Sequence, residues 1–151
     1  LAIGDGPLRI EVKQWIEEAD MSEHIIMTGF RKDIPSVLPQ LDVFLITSET
    51  EGLGTSILDA QAAGVPVVAT KAGGIVEIIR HNENGMLAGV KDVESLAENV
   101  LHYLANPEIG AQHAENGKKN VERFSKQMTA KRTKEVYESV LGRVLEIPVK
   151  E

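Results

Sequence analysis

Short apolar runs of strand length alternate along the chain with segments whose apolar residues recur at helical spacing. Residues 1–3 read as a strand followed by the glycine turn Gly4-Asp5-Gly6-Pro7. Pro7 suits the first position of a helix, where the N–H it lacks has no partner. Leu8, Val12, Trp15, Ile16 and Ala19 then mark one helix face. Residues 25–27 predict a second strand, ending at Gly29, and residues 34–38 a short helical piece flanked by Pro35 and Pro39. Residues 43–46 form an apolar run of the kind that is buried on both faces of a central strand. A polar, glycine-rich loop over 48–56 leads into a helix over 56–63, closed by Gly64. Residues 65–69 predict another buried strand, and Gly73-Gly74 opens a short helix through 75–79. Asn84-Gly85 is a tight turn before Met86-Leu87. From Asp92 onward the pattern is helical, broken by Asn106-Pro107, with two further helices over 108–123 and 128–142.

Strands alternating with helices imply parallel pairing through crossover connections. The predicted fold class is α/β, a doubly wound parallel sheet with helices on both faces. One domain covers residues 1–142, and residues 143–151 read as a tail. The chain starts at Leu1 inside a strand pattern, so it is expected to be cut from a longer polypeptide, truncated at its N-terminus.

Composition narrows the chemistry. With 151 residues and 42% hydrophobic content the chain is long enough for a core. Cysteine is absent, which excludes disulfides, thiolate metal sites and a cysteine nucleophile. A net charge of −7 and only 1 Trp, 2 Tyr and 3 Phe disfavour nucleic acid as a partner. Against that balance, Lys118, Lys119, Arg123, Lys126, Lys131, Arg132 and Lys134 crowd one stretch with Glu122 as the acid among them. That stretch reads as a solvated helix face or as a surface drawn to anionic lipid. His24, His81, His102 and His113 are too scattered for a metal site.

Ligands of open parallel sheets bind beyond the carboxyl ends of the strands. Four loops leave such ends: 4–7, 29–33, 48–56 and 71–74. The richest is Glu51-Gly52-Leu53-Gly54-Thr55-Ser56-Ile57-Leu58-Asp59, where a glycine loop feeds a helix N-terminus. Unpaired N–H groups and the helix dipole there favour an anion, most naturally a phosphate. The flanking acids Glu51 and Asp59 suit hydroxyls, and phosphate between hydroxyl-rich groups describes a nucleotide sugar. Ser56 and Asp59 also fit a capping box, which would need no ligand. Gly4-Asp5-Gly6 lacks the third glycine of a dinucleotide fingerprint, with Arg9 in its place, and no lysine follows a glycine loop in Walker spacing.

Taken together, these segments resemble the C-terminal domain of retaining glycosyltransferases of the GT-B fold, family 4, over residues 1–141. The resemblance rests on Ile3-Gly4-Asp5-Gly6-Pro7, Ile26-Met27-Thr28-Gly29-Phe30 and Asp42-Val43-Phe44-Leu45-Ile46. It continues through the E-x7-E signature at Glu51 to Asp59, then Ala63-Gly64-Val65-Pro66-Val67-Val68-Ala69-Thr70 and Gly73-Gly74-Ile75-Val76-Glu77. Asn84-Gly85-Met86-Leu87, and Phe124-Ser125 through Tyr137, match downstream landmarks. It implies a Rossmann-like half of an enzyme that transfers a hexosyl-type sugar from a nucleoside diphosphate. Glu51 would be the catalytic residue, contacting donor-sugar hydroxyls. Amides of Gly52, Leu53 and Gly54 would line the sugar, and those of Thr55, Ser56 and Ile57 would hold the diphosphate. Asp59 would accept from ribose hydroxyls, Gly29, Phe30 and Arg31 would face the base, and Gly4 and Gly6 would border the donor. Asp59 departs from the family's Glu, and its reach is shorter by about 1.5 Å.

The resemblance also implies an N-terminal domain as partner, no cofactor or metal beyond the donor, and an isolated chain without transfer activity. The implied acceptor is a cell-envelope glycan or lipid. The implied location is cytoplasmic, with peripheral contact at the inner membrane face. The competing readings are a flavodoxin-like binding module without catalysis and a GT-B nucleotide-sugar epimerase.

Overall fold

Residues 1–142 are described by the structure, a computed structural model. The expected tail, 143–151, lies outside the described residues. The chain divides into two compact units, Leu1–Val37 and the residues from Leu38 onward. The α/β class holds in both: the strands pair in parallel and are flanked by helices. The expected sheet is hydrogen-bonded as a two-stranded sheet in the first unit and a three-stranded sheet in the second.

In the first unit, β1 (Ala2–Ile3) pairs with β2 (Met27–Gly29) through an irregular register, Ala2 opposite Met27 and Ile3 opposite Gly29. Helix α1 (Arg9–Glu18) connects them, and α2 (Ile34–Val37) ends the unit. Helix α1 starts two residues after Pro7, which sits in the turn before it. Of the expected apolar face, Val12 and Ile16 are half-buried, whereas Leu8 and Trp15 are exposed.

In the second unit a short 3-10 turn, Leu38–Gln40, precedes β3 (Phe44–Ile46). The helix α3 (Thr55–Ala63) carries the chain to β4 (Val67–Thr70), and α4 (Ile75–Ile78) to β5 (Met86–Ala88). The order is β3-β4-β5, with Phe44 opposite Val67 and Val68 opposite Met86. Strand β4 is central and all four of its residues are buried. Burying a valine such as Val67 or Val68 stabilises by about 1.5–3 kcal/mol. Residues 43–46 were expected in a fully buried central strand. Instead Phe44 and Ile46 are half-buried and Leu45, on the opposite face of the strand, is 47% exposed where it lines an open cavity.

Helix ends follow local chemistry. Gly64 closes α3 in the left-handed region, φ 76°, where a side chain would be strained. Asp92 caps α5 (Val93–Ala105) by accepting from the Ser95 amide at 3.0 Å. Pro107 opens α6 (Pro107–Val121), and Ser125 caps α7 (Lys126–Leu141) after a 3-10 turn, Glu122–Phe124. Helix α5 adds Leu96 and Tyr103 to a core with Val68, Met86 and Ala88. Helix α6 lies so close to α3 that a Cβ on Gly117 would meet the Gln61 side chain at 3.0 Å.

Candidate functional site

The chain leaves β3 through a turn of residues 48–54 and enters α3. Gly54 is the residue preceding the helix, at φ 78° and ψ 48°. A Cβ there would be strained by that φ and would meet Ile57 Cδ1 at 3.1 Å. Glycine therefore admits a sharp turn that a larger residue would block. The helix starts at Thr55, one residue before the expected Ser56. No side chain caps it, and its first turn holds no acid. The Ile57 amide is satisfied by the Gly54 carbonyl at 2.9 Å. The amides of Thr55 and Ser56 lie ahead of the first possible intrahelical acceptor, on exposed residues. The capping box proposed from spacing does not form. Gly54 occupies the cap position, which places Ser56 inside the helix and Asp59 a further turn along it, exposed. Asp59 is thus free of the structural duty that its spacing suggested.

The turn itself is tied down by polar contacts. Glu51 is half-buried, and the Ser48 hydroxyl donates to its Oε2 at 3.4 Å. The Glu51 carbonyl accepts from the Gly74 amide at 3.1 Å. The approach is close: a Cβ on Gly73 would fall 1.9 Å from the Glu51 carbonyl oxygen, and one on Gly74 would fall 2.2 Å from that of Gly52. Thr70, at the end of β4, donates from Oγ1 to the Ser48 carbonyl at 2.6 Å. Gly52 has nothing within 4 Å of its Cβ position, and Leu53 is exposed. Glu51, Gly52, Leu53, Gly54, Thr55, Ser56 and Ile57 are contiguous across this turn and helix start, with Ile57 itself buried in the core.

The remaining expected residues lie in the first unit. The Gly4 amide donates to the Gly29 carbonyl at 3.0 Å, which brings these two turns together. Both glycines have positive φ, 131° and 70°. The Gly6 amide is turned onto Asp5 Oδ1 at 2.9 Å. Phe30 is 73% exposed. Arg31 grips Asp33 through two hydrogen bonds, Nε to Oδ1 at 2.9 Å and a second from Nη2 to Oδ2. That guanidinium holds the Asp33 carboxyl below its usual range.

Sequence reasoning passed over Thr70, whose buried hydroxyl bears directly on the turn, and the ion pair of Lys91 with Glu49 at 3.2 Å. A strand ending in a hydroxyl residue is the faint signal for the first; the second pairs residues 42 positions apart and left none. Thr70, Glu49 and Lys91 line part of a cavity of about 700 Å³ floored by Leu45, Leu96 and Val100. None of the expected site residues lines it. Among the described residues, no group of three or more His, Asp or Glu side chains is arranged to hold a metal ion, and no helix is long and apolar enough to cross a membrane.

Known proteins are similar to this chain in sequence and fold. A family model described as "Glycosyl transferases group 1" matches residues 1–120. N-acetyl-alpha-D-glucosaminyl L-malate synthase of Bacillus anthracis is 29% identical over 142 residues, covering 93% of this chain and 37% of that protein. HepE from Anabaena, solved in complex with UDP-glucose, superposes with a TM-score of 0.83 at 29% identity, over 91% of this chain and 40% of its own. The C-terminal domain of LpcC from Francisella tularensis, described as a glycosyl transferase group 1 family protein, superposes with a TM-score of 0.69 at 32% identity, over 76% of this chain and 60% of its own. The chain therefore spans less than half the length of the synthase and of HepE.

Proposed function

This chain belongs to the glycosyl transferases group 1 family, and from that premise we propose that it is the donor-binding C-terminal part of a GT-B enzyme. The enzyme transfers a hexosyl-type sugar from a nucleoside diphosphate to an acceptor, with retention of anomeric configuration, as in family 4. The observation that carries this reading is the uncapped N-terminus of α3 behind the left-handed Gly54. HepE, crystallised with UDP-glucose, supports the choice of ligand class. The family match sets aside a flavodoxin-like module, and the transferase signature from Glu51 to Asp59 favours transfer over epimerisation.

In this reading the amides of Thr55 and Ser56 and the dipole of α3 take up the charge that grows on the departing diphosphate. Fixed donors need no reorganisation as that charge develops, which is how an oxyanion hole works. Glu51 accepts hydrogen bonds from donor-sugar hydroxyls and serves as the catalytic residue of this chain. Asp59, exposed and free of capping, accepts from ribose hydroxyls. Gly4, Gly6, Gly29, Phe30 and Arg31 keep the donor-facing and base-facing roles that the resemblance implies. The donor needs no metal, because the helix terminus supplies the neutralising field. The acceptor is a cell-envelope glycan or lipid, bound by an N-terminal domain whose closure excludes water. The enzyme works in the cytoplasm, and its basic segment around Lys126 rests on the inner membrane face.

Calorimetric titration of this chain with UDP and GDP tests the reading. Weak binding of one of them, lost in Asp59→Ala, is expected, together with no sugar transfer by the chain alone. Binding unchanged in Asp59→Ala, or efficient transfer by the isolated chain, would contradict it.

A further inference from the structure

The turn that precedes α3 is fixed from behind by the segment that leaves β4. Thr70, the last residue of that strand, is 1% exposed, and its Oγ1 donates to the Ser48 carbonyl at 2.6 Å. Four residues on, the Gly74 amide donates to the Glu51 carbonyl at 3.1 Å. One segment therefore grips both ends of a four-residue stretch, 48 through 51. The stretch closes on itself as well, since the Ser48 hydroxyl reaches Glu51 Oε2. A buried hydroxyl needs a partner, and the choice of a main-chain carbonyl couples it to backbone position rather than to a mobile side chain.

We infer that Thr70 is a positioning residue for Glu51 and the Gly52–Gly54 amides, acting through the Ser48 carbonyl. Its hydroxyl transmits the rigidity of the central strand β4 to a turn that has no regular structure of its own. With the hydroxyl removed, the Ser48 end is released while the Gly74 end stays bound. The turn then pivots about Glu51, and the Glu51 carboxylate loses its fixed direction. The cavity side of Thr70 is not required for this, because the contact that matters is made to the main chain. The inference rests on the reading of the turn as the donor site, and its test separates the two.

The test uses the full-length protein with Thr70→Val, which keeps the shape and deletes the hydroxyl, and Thr70→Ser, which restores it. Thr70→Ala is the second deletion variant should valine pack poorly. Amide hydrogen exchange over residues 48–56 and the affinity for UDP are measured on each. Valine is expected to speed exchange in that segment by about tenfold, the effect of losing one buried hydrogen bond. UDP affinity is expected to weaken and the donor KM to rise by a similar factor, with Tm lower by only a few degrees, and serine to restore all three. Exchange and affinity equal to wild type in both deletion variants would overturn the inference. Faster exchange in valine, reversed by serine, with UDP affinity untouched would uphold the tie and refute the donor-site reading instead.

Discussion

Asn120 on α6 donates from Nδ2 to Gln61 Oε1 on α3 at 3.2 Å, and to the Ile78 carbonyl at the end of α4 at 3.0 Å. Both side chains are buried. Gln61 in turn donates to the Asn84 carbonyl at 3.2 Å, and Asn84 donates to the same Ile78 carbonyl at 3.1 Å. This network ties α6 to α3 and to the end of α4. Replacing Asn120 with leucine strands the Gln61 oxygen in the core, at a cost of about 1–3 kcal/mol. Chemical denaturation of Asn120→Leu measures that loss.

Gly73 and Gly52 predict opposite outcomes for the same change. At Gly73 a methyl group meets the Glu51 carbonyl at 1.9 Å and the φ is +48°. Gly73→Ala must displace the turn, so stability falls by about 1–3 kcal/mol and UDP binding weakens with it. At Gly52 the Cβ position is open. Gly52→Ala leaves stability within about 0.5 kcal/mol, and any effect on nucleotide binding there is local to the ligand. Thermal unfolding and calorimetry on the pair check both halves.

Glu51→Gln keeps size and shape and removes the charge. In the proposed site the carboxylate would accept charge-assisted hydrogen bonds from sugar hydroxyls, so the substitution is expected to lower transfer by the full-length protein by about 10- to 100-fold. Tm is expected to stay at the wild-type value, since among the described residues the side-chain partner of this carboxylate is the long contact from Ser48. Steady-state kinetics with a fixed acceptor read the loss.

His113 supplies a pH dependence. It is buried against Tyr103, with Nδ1 2.8 Å from the phenol oxygen and the rings edge to face at 5.6 Å. Burial disfavours the charged imidazole and lowers its pKa below 6.5, although a backbone contact at Asn82 opposes the shift and His102 and His81 nearby reinforce it. The folded state therefore binds fewer protons than the unfolded chain just below that value. Stability is present above pH 6.5 and is lost as pH falls through the folded pKa. The Tm is expected to drop as pH falls below 6.5, and His113→Gln to flatten that slope.

The local signals in the chain were readable because each has a local cause. Gly64 ends a helix since only glycine sits easily at positive φ, and Asp92 starts one since its carboxylate reaches an amide three residues on. Asn106-Pro107 separates two helices for an equally local reason. The parallel α/β layout followed from the alternation of these pieces. Two kinds of feature were hidden. Gly54 stands at the cap of α3 by its own left-handed geometry, yet Ser56 with Asp59 three residues on carries the capping-box spacing, which points to a helix start one residue late and to a capping role that Asp59 lacks. The pairs Thr70 with Ser48 and Asn120 with Gln61 join residues 22 and 59 positions apart. Such contacts depend on how strands and helices stack, which no run of residues encodes alone. Leu45 shows the converse: its apolar neighbours signal full burial, and the face of β3 on which it stands opens into a cavity that leaves it half in solvent.

The central claim is that the first amides of α3 receive a diphosphate. Backbone amide chemical shifts of Thr55 and Ser56, followed while UDP is added to the isotopically labelled chain, test it most directly. Saturable shifts at these amides, absent when uridine replaces UDP, are the result predicted here. Shifts confined to other residues while these amides stay still would contradict it.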